Sequence, residues 1–191
     1  APAPAFELTR ITAPGGGGSH TPTTRFRAST NVELAVDNSD GMFTGCLYTA
    51  WADNGTGDWD ILARRSCDGG ATWAEPTRIN QDAAGAYQFF PRIVVDTMGV
   101  VHLMYQTQAY DPLMKLIDTE YAFSENGGET WTVQRLTTIG SNGDLGIHQD
   151  GGSFYGDYNG IAASGTTVYA GFPHTLTGKA EIAVARIVRT G

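Results

Sequence analysis

The chain has 191 residues, of which 41% are hydrophobic and 17% charged, and it contains 25 glycines. This composition is typical of a folded domain made of short strands and tight turns, and it excludes a disordered chain. The formal net charge of −8 repels phosphate groups, so neither nucleic acid nor an anionic membrane is an expected partner.

Short apolar segments bounded by glycine, aspartate and asparagine predict β-strands along the whole chain. A first segment covers about 6–12. Four strands follow at about 32–37, 46–51, 59–65 and 75–80, and four more at about 91–96, 100–106, 118–123 and 132–137. A last group has three strands, at about 159–163, 167–172 and 181–186. We therefore expect one all-β domain over 1–191.

The two cysteines flank a predicted hairpin. Cys46 opens the strand at 46–51, Cys67 follows the strand at 59–65, and the polar run 53–58 lies midway between them. Both cysteines therefore fall at the open end of the hairpin. A disulfide between them is one interpretation, and it favours an oxidising compartment. Two separate buried thiols are the alternative.

An eight-residue pattern, S-x-[DN]-x-G-x-T-W, occurs twice, at 66–73 and at 124–131, 58 positions apart. Its shared residues are Ser66, Asp68, Gly70, Thr72 and Trp73 in the first copy and Ser124, Asn126, Gly128, Thr130 and Trp131 in the second. The flanking sequence repeats as well, because Thr77-Arg78-Ile79-Asn80 corresponds to Gln134-Arg135-Leu136-Thr137. The repeating unit is therefore about 58 residues long.

These two copies resemble the Asp-boxes, or BNR repeats, of the sialidase-like β-propellers. The resemblance implies that each copy is a structural turn between the third and fourth strands of a blade, on the face away from the usual binding site. It implies four-stranded blades at about 32–80, 91–137 and 157–188. The segment 6–12 resembles 75–80 and is expected to complete the last blade.

Three blades are too few to close a ring, and sialidase-like rings have six. The resemblance therefore implies a half-ring that is completed by a second copy, as a homodimer, or by a complementary half-propeller on another chain. A fragment of a longer propeller is a further interpretation. The run 15–19, Gly-Gly-Gly-Gly-Ser, is typical both of engineered linkers and of native glycine loops.

In this architecture the central pocket is lined by residues that open the innermost strands and by the loops between second and third strands. The strand openings supply Arg27, Glu33, Phe89, Phe90, Arg92, Asp157 and Tyr158 as candidates. The loops supply Asp53, Asp58, Gln106, Tyr110, Asp111 and His174. Acids, arginines and aromatic rings on one face suit a glycan or another small extracellular ligand.

Sialidases combine three arginines, a tyrosine nucleophile with its glutamate, and an aspartic acid. The sequence shows only part of this set, since Arg92 follows a proline where the family has Arg-Ile-Pro, and no glutamate is evident beside Tyr158. Catalytic residues therefore stay unassigned. We expect a secreted or periplasmic glycan-binding module, with an exo-sialidase-type glycoside hydrolase and a purely structural domain as alternatives. Structural roles are also open, with Phe89 and Phe90 packing between blades and Arg92 paired with Asp157.

Cofactor motifs are lacking. The run 53–58 offers oxygen ligands for Ca²⁺ but not the spacing of an EF-hand, so an ordinary turn is the simpler interpretation. The histidines, His20, His102, His148 and His174, have no metal-ligand spacing, and His102 lies in an apolar strand. The polar connection from 140 to 152 is interpreted either as a lid or as a loose loop.

Overall fold

The computed structural model describes residues 31–55, 57–83, 85–149, 152–156 and 158–189, with the backbone alone for 147–149 and 152–154. These residues form fourteen strands and one short 3-10 helix, and no α-helix occurs among them. The all-β prediction is confirmed at this level. The predicted strand at 6–12 and the residues Arg27, Asp157 and His20 lie outside the described residues.

Three antiparallel sheets follow one another along the chain. Sheet A has the order β1 Glu33–Val36, β2 Leu47–Asp53, β3 Asp60–Ser66 and β4 Thr77–Arg78. Sheet B has the order β5 Gln88–Val95, β6 Val101–Thr107, β7 Leu116–Ser124 and β8 Thr132–Arg135, with β9 Ser141–Asn142 paired to β7. Sheet C has the order β12 Gly160–Ser164, β13 Thr167–His174 and β14 Glu181–Val188.

The hairpin between β2 and β3 has the predicted register. Leu47 pairs with Ser66 at its open end and Asp53 with Asp60 at its turn. Cys46 and Cys67 lie just beyond the Leu47–Ser66 pair, and a disulfide joins them. The predicted disulfide is therefore confirmed.

The two Asp-box copies form turns with the same hydrogen bonds. In the turn between β3 and β4, Gly70 N donates to Ser66 Oγ over 2.9 Å and Thr72 N donates to Asp68 Oδ1 over 2.9 Å. The Trp73 indole closes the turn by donating to the Gly70 carbonyl over 3.1 Å. Each bond has its counterpart 58 positions later, where the Asn126 side-chain oxygen replaces the carboxylate. The repeat in sequence is therefore a repeat in three dimensions.

The sheets pack face to face around their first strands. β5 contacts β1, β2 and β3 of sheet A, and on its other side it contacts β12 of sheet C. One apolar cluster joins sheets A and B, through residues such as Ile61, Tyr48 and Leu103, and another joins sheets B and C through Met104 and Phe172. Strands β1, β5 and β12 are therefore neighbours on the inner side of the stack, as in a propeller.

The connection between sheets B and C is more ordered than the sequence indicated. It contains β9, the 3-10 helix Gly143–Leu145, and a hairpin of β10 Ile147–Gln149 with β11 Gly152–Phe154. Tyr155 at its end is buried, and its hydroxyl contacts Ser141 and the Pro173 carbonyl over 2.6 and 2.9 Å. The connection is therefore anchored on both neighbouring sheets.

The described residues contain no helix that is long and apolar enough to span a membrane.

Candidate functional site

The openings of the three inner strands lie together. Arg92 of β5 donates to the Glu33 carboxylate at the start of β1. On the other side of β5, the Asn159 amide, one residue before β12, donates to the Phe90 carbonyl over 3.4 Å. We call the surface formed by Glu33, Arg92, Tyr158 and Asn159 the inner-strand mouth.

A β-bulge in β5 sets the direction of these side chains. Phe89 pairs with Gln106 and Arg92 with Met104, so β5 carries one extra residue between the two pairs. Phe90 has a φ of 54°, in the left-handed region that non-glycine residues rarely occupy. Bulges of this kind re-aim side chains and recur beside binding sites. Pro91 is tolerated here because β5 is an edge strand of its own sheet and needs no ladder bond on its outer side.

Phe90 does not present its ring to a ligand. It is 2% exposed and packs edge to face on Phe89, with ring centres 5.1 Å apart, in a cluster with Ile117 and Tyr155. The packing role that the sequence left open is therefore the one observed. Only the Phe90 carbonyl faces the neighbouring strand, where it accepts the bond from Asn159.

Arg92 and Glu33 form a half-buried ion pair, with side chains 17% and 22% exposed. Burial lowers the pKa of the Arg92 guanidinium, and the interaction with Tyr158 opposes that shift. Tyr158 itself is 87% exposed. The mouth thus combines a guanidinium, a carboxylate and an aromatic face open to solvent. The Arg92–Asp157 pair that the sequence left open is not tested, because Asp157 lies outside the described residues, and the observed partner of Arg92 is Glu33.

Two other candidate residues, Asp53 and Asp58, have structural roles. Asp53 accepts bonds from the Trp51 indole over 3.1 Å and from Gly55 N over 2.7 Å, which fastens the turn after β2. The Asp58 carboxylate accepts from the backbone of Trp59 and Gly85. In the loop 53–58, which the sequence suggested as a Ca²⁺ site, both carboxylates therefore already accept hydrogen bonds from the protein itself. Among the described residues, no group of three or more His, Cys, Asp or Glu side chains is arranged to hold a metal ion.

Tyr110 and His174 interact with residues outside the inner-strand mouth. The Tyr110 hydroxyl donates to Glu120, and the Arg135 guanidinium lies over its ring at 4.1 Å. Burial raises the pKa of Tyr110, and the bond to Glu120 raises it further. His174 ends β13 and borders a cleft between sheets B and C, with Glu181 3.9 Å from its ring nitrogen.

A second cleft, which the sequence did not indicate, opens between the loop after β4 and the loop after β6. Its volume is about 300 Å³, and Asp82, Gln108 and Asp111 contribute polar groups to its wall. Asp82 accepts at Oδ1 from Asn80 over 2.6 Å, whereas its Oδ2 has no hydrogen-bond partner among the described residues. The cleft forms only where two loops from different parts of the sequence meet, so no local sequence pattern predicts it.

Solved structures with the same fold are known. A Hadza microbial sialidase superposes with a TM-score of 0.52 at 17% identity, over 83% of this chain and 32% of that one. A Penicillium chrysogenum alpha-L-arabinanase complexed with arabinobiose superposes with a TM-score of 0.54 at 14% identity, over 87% of this chain and 46% of that one. The chain thus spans about a third to a half of each.

No protein-family model matches the sequence, and no curated protein matches it significantly. At 14–17% identity, the similarity to these two structures is evidence for the fold and not for the activity. The Asp-box turns, the packing of the inner strands and these superpositions agree with one another. The chain has the fold of the sialidase-like β-propellers.

Proposed function

We propose that this protein is a secreted glycan-binding propeller module whose three sheets are blades of a larger ring, about half of a six-bladed one. The observation that carries the proposal is the inner-strand mouth, where the Arg92–Glu33 pair lies within electrostatic reach of Tyr158, whose side chain is exposed. A guanidinium and a carboxylate bind sugar hydroxyls or a sugar carboxylate, and an exposed aromatic face packs against sugar CH groups.

The cleft beside Asp82 and Gln108 supports the same function. At about 300 Å³ it has the size of a small ligand site, and its wall mixes carboxylates and an amide with Ala, Pro and Met side chains. The Asp82 and Asp111 carboxylates in this wall are acceptors of the kind that bind sugar hydroxyls. We assign this cleft to a second sugar unit of the ligand.

Ring assembly follows from the incompleteness of the mouth. Its described groups come from or directly precede three neighbouring strands, β1, β5 and β12, which in the proposed ring would cover only one side of the axis. Further blades, from a second copy or from a complementary half-propeller, would supply the facing side. Secretion is proposed because a disulfide such as Cys46–Cys67 persists in oxidising compartments.

A glycan array read at several protein concentrations tests this function. Arg92→Ala and Tyr158→Ala are expected to weaken binding at least about tenfold, the loss of roughly one charge-assisted contact or one aromatic contact. Arg189→Ala is the matched control, because the Arg189 side chain is as buried as that of Arg92, at 17% exposed, and donates to Glu125 in the second Asp-box turn. Binding that is absent from the array, or equal in all four proteins, contradicts the proposal.

Glu33→Gln identifies the ligand's charge. Glu33 competes with an acidic sugar for the Arg92 guanidinium, so its neutralisation is expected to strengthen binding of sialylated or uronic-acid glycans. For a neutral glycan the same change removes a hydroxyl acceptor and is expected to weaken binding. The sign of the change therefore separates the two ligand classes.

An exo-sialidase-type glycoside hydrolase is the second candidate. It is favoured by the Arg92–Glu33 pair and by the electrostatic interaction of Tyr158 with Arg92, because these are residue types that sialidase chemistry uses. Turnover of a fluorogenic sialoside that disappears in Tyr158→Phe would support it. Glycan binding without turnover leaves the binding module, and the absence of both leaves a structural domain.

A further inference from the structure

The two hairpins β2–β3 and β13–β14 are structural repeats of each other. His174 and Glu181, the pair at the turn of the second hairpin, each lie 121 positions after Asp53 and Asp60, the pair at the turn of the first. Both turns contain a glycine with positive φ, Gly57 at 88° and Gly178 at 86°. A residue of sheet A can therefore be matched with its equivalent in sheet C by adding 121.

The matched residues differ sharply in exposure. In sheet A, Tyr48, Ile61 and Ala63 are 2%, 0% and 6% exposed, because they belong to the apolar cluster shared with sheet B. Their equivalents in sheet C, in the same order, are 42%, 72% and 67% exposed: Tyr169, Ile182 and Val184. Sheet C therefore presents, uncovered, the face that sheet A buries under sheet B.

Sheet A presents the opposite half of the same interface. Leu34 of β1 is equivalent to Ile93 of β5. Leu34 pairs with Thr49 of β2, two residue pairs before the end of that ladder, and Ile93 pairs with Leu103 of β6 at the same place in its own ladder. Ile93 is 7% exposed in the cluster with sheet A, whereas Leu34 is 62% exposed. Leu34 and Val36, 62% and 40% exposed, therefore form an uncovered apolar strip along β1, whereas Thr49 and Trp51 on the same face of sheet A are buried.

A polar contact across the interface shows the same pattern. Arg65 reaches from sheet A into the second Asp-box turn, where Nη1 donates to the Gly127 carbonyl over 2.7 Å. Its equivalent in sheet C is Arg186, which is exposed. The equivalent of Gly127 in the first Asp-box turn is Gly69. A Cβ placed on Gly127 would lie 2.3 Å from Arg65, whereas one placed on Gly69 would meet no atom within 4 Å.

From these equivalences we infer that sheet C docks onto sheet A of a second copy of this chain, with Arg186 donating to the Gly69 carbonyl of that copy. The proposal continues the established contact between sheets A and B, and two such contacts close a symmetric ring of two chains. It rests on the ring of the proposed function and specifies its partner. Uncovered apolar faces on neighbouring blades are the kind of surface that such association buries.

Light scattering after size exclusion tests the inference in the absence of any glycan. The wild-type chain is expected to have about twice the chain mass of 20.4 kDa. Ile182→Asp is expected to weaken the dimer at least about tenfold, since it puts a charge into the apolar interface. Leu113→Asp is the control, because Leu113 is similarly exposed, at 67%, but lies in the loop after β6. A monomeric wild type, or a dimer that Ile182→Asp leaves intact, overturns the inference.

Cysteine cross-linking tests the head-to-tail geometry. The double variant Leu34→Cys with Ile182→Cys is expected to form a covalent dimer under mild oxidation, and neither single variant is. A cross-link in Ile182→Cys alone would show that sheet C faces sheet C, which overturns the proposed docking. Glycan binding by a monomer would overturn the docking and leave the binding function standing, whereas a dimer that binds no glycan would do the reverse.

Discussion

At the residue scale, the Asp-box side chains act as turn fasteners. Ser66 accepts from Gly70 N and donates to Asp68 over 2.8 Å, while Asp68 also accepts from Thr72. The bond from the Thr72 hydroxyl, joined by the Thr72 backbone and the Ser66 hydroxyl, lowers the pKa of Asp68 to about 2. That Asn126 makes the equivalent backbone bond shows that the turn requires the side-chain oxygen and not its charge.

Ser66→Ala is expected to destabilise the fold by about 1–3 kcal/mol, because the buried Gly70 N–H loses its acceptor. Urea unfolding followed by tryptophan fluorescence measures the change. Ser164→Ala, at an exposed site at the end of β12, is the control and is expected to stay within about 0.5 kcal/mol. Equal midpoints for the two variants would show that the hydroxyl is dispensable.

His102 makes stability depend on pH. Its ring is fully buried, with one nitrogen 2.6 Å from the Tyr121 hydroxyl and the other 3.0 Å from Asp96. Burial lowers the pKa of His102 below its usual 6.5, although the bond to Asp96 opposes the shift. As the pH falls, the unfolded chain therefore takes up a proton on His102 before the folded chain does. The contribution of neutral His102 to the free energy of unfolding is present above about pH 6.5 and is lost as the pH drops below it.

Thermal midpoints of the wild type and of His102→Gln between pH 7.5 and 5.5 test this expectation. The wild type is expected to lose more stability over that interval than the variant, since the variant has no imidazole to protonate. Parallel pH profiles would show that acidic side chains, and not His102, set the acid sensitivity.

At the element scale, the hairpin β2–β3 is held by its ladder and by the Cys46–Cys67 disulfide. The two cysteines are 21 positions apart, and closing a loop of that length in the unfolded chain is worth about 3 kcal/mol. The double variant Cys46→Ser, Cys67→Ser is expected to lose about that much stability in urea. Reductant should then lower the midpoint of the wild type and leave the variant unchanged.

The outer edge of β14 has no paired strand among the described residues. In sheets A and B the fourth strand places an arginine on an aspartate of the third strand: Arg78 lies 2.6 Å from Asp60, and Arg135 lies 2.8 Å from Asp118. Segment 6–12, which lies outside the described residues, resembles 75–80 in sequence, and its Arg10 corresponds to Arg78. We propose that this segment pairs with β14 and that Arg10 reaches Glu181.

Deletion of residues 1–12 is expected to speed amide exchange in β14, because its outer hydrogen bonds are lost. Hydrogen exchange with mass spectrometry measures peptides that cover 181–188. Shortening the run 15–19 by one glycine is the control, since it leaves 6–12 intact. Unchanged exchange in the deletion variant would show that β14 has another partner or none.

At the scale of the whole molecule, the proposed docking of sheet C on sheet A of a second copy would link stability to assembly. A folded dimer that unfolds to monomers has a thermal midpoint that rises with concentration. For two chains of 191 residues a tenfold increase is expected to raise the midpoint by about 2 °C. Differential scanning at several concentrations measures it. Ile182→Asp is expected to remove the dependence, and a wild-type midpoint that does not change with concentration would contradict assembly by mass action.

The sequence by itself determined the elements. Period-2 apolar runs, glycine turns and the repeated S-x-[DN]-x-G-x-T-W pattern are local signals, and they predicted the main strands, the Cys46–Cys67 hairpin and the 58-residue repeat, while the propeller was implied by the resemblance of that repeat to the Asp-boxes. Strand ends were less certain, as β5 shows: it begins at Gln88 and not at about 91, because a bulge and an unusual φ at Phe90 carry the strand through Pro91.

Only the tertiary structure decided what the polar candidates do. Asp53 and Tyr110 resembled Arg92 as site candidates in the sequence, yet the first fastens a turn and the second bonds to Glu120, whereas Arg92 bonds to Glu33 of a different sheet. The partner of a charged side chain is chosen by which sheets pack together, and that depends on contacts between residues some 60 positions apart. Local periodicity carries no information about such contacts. The fold could therefore be predicted from the sequence, and the site could not.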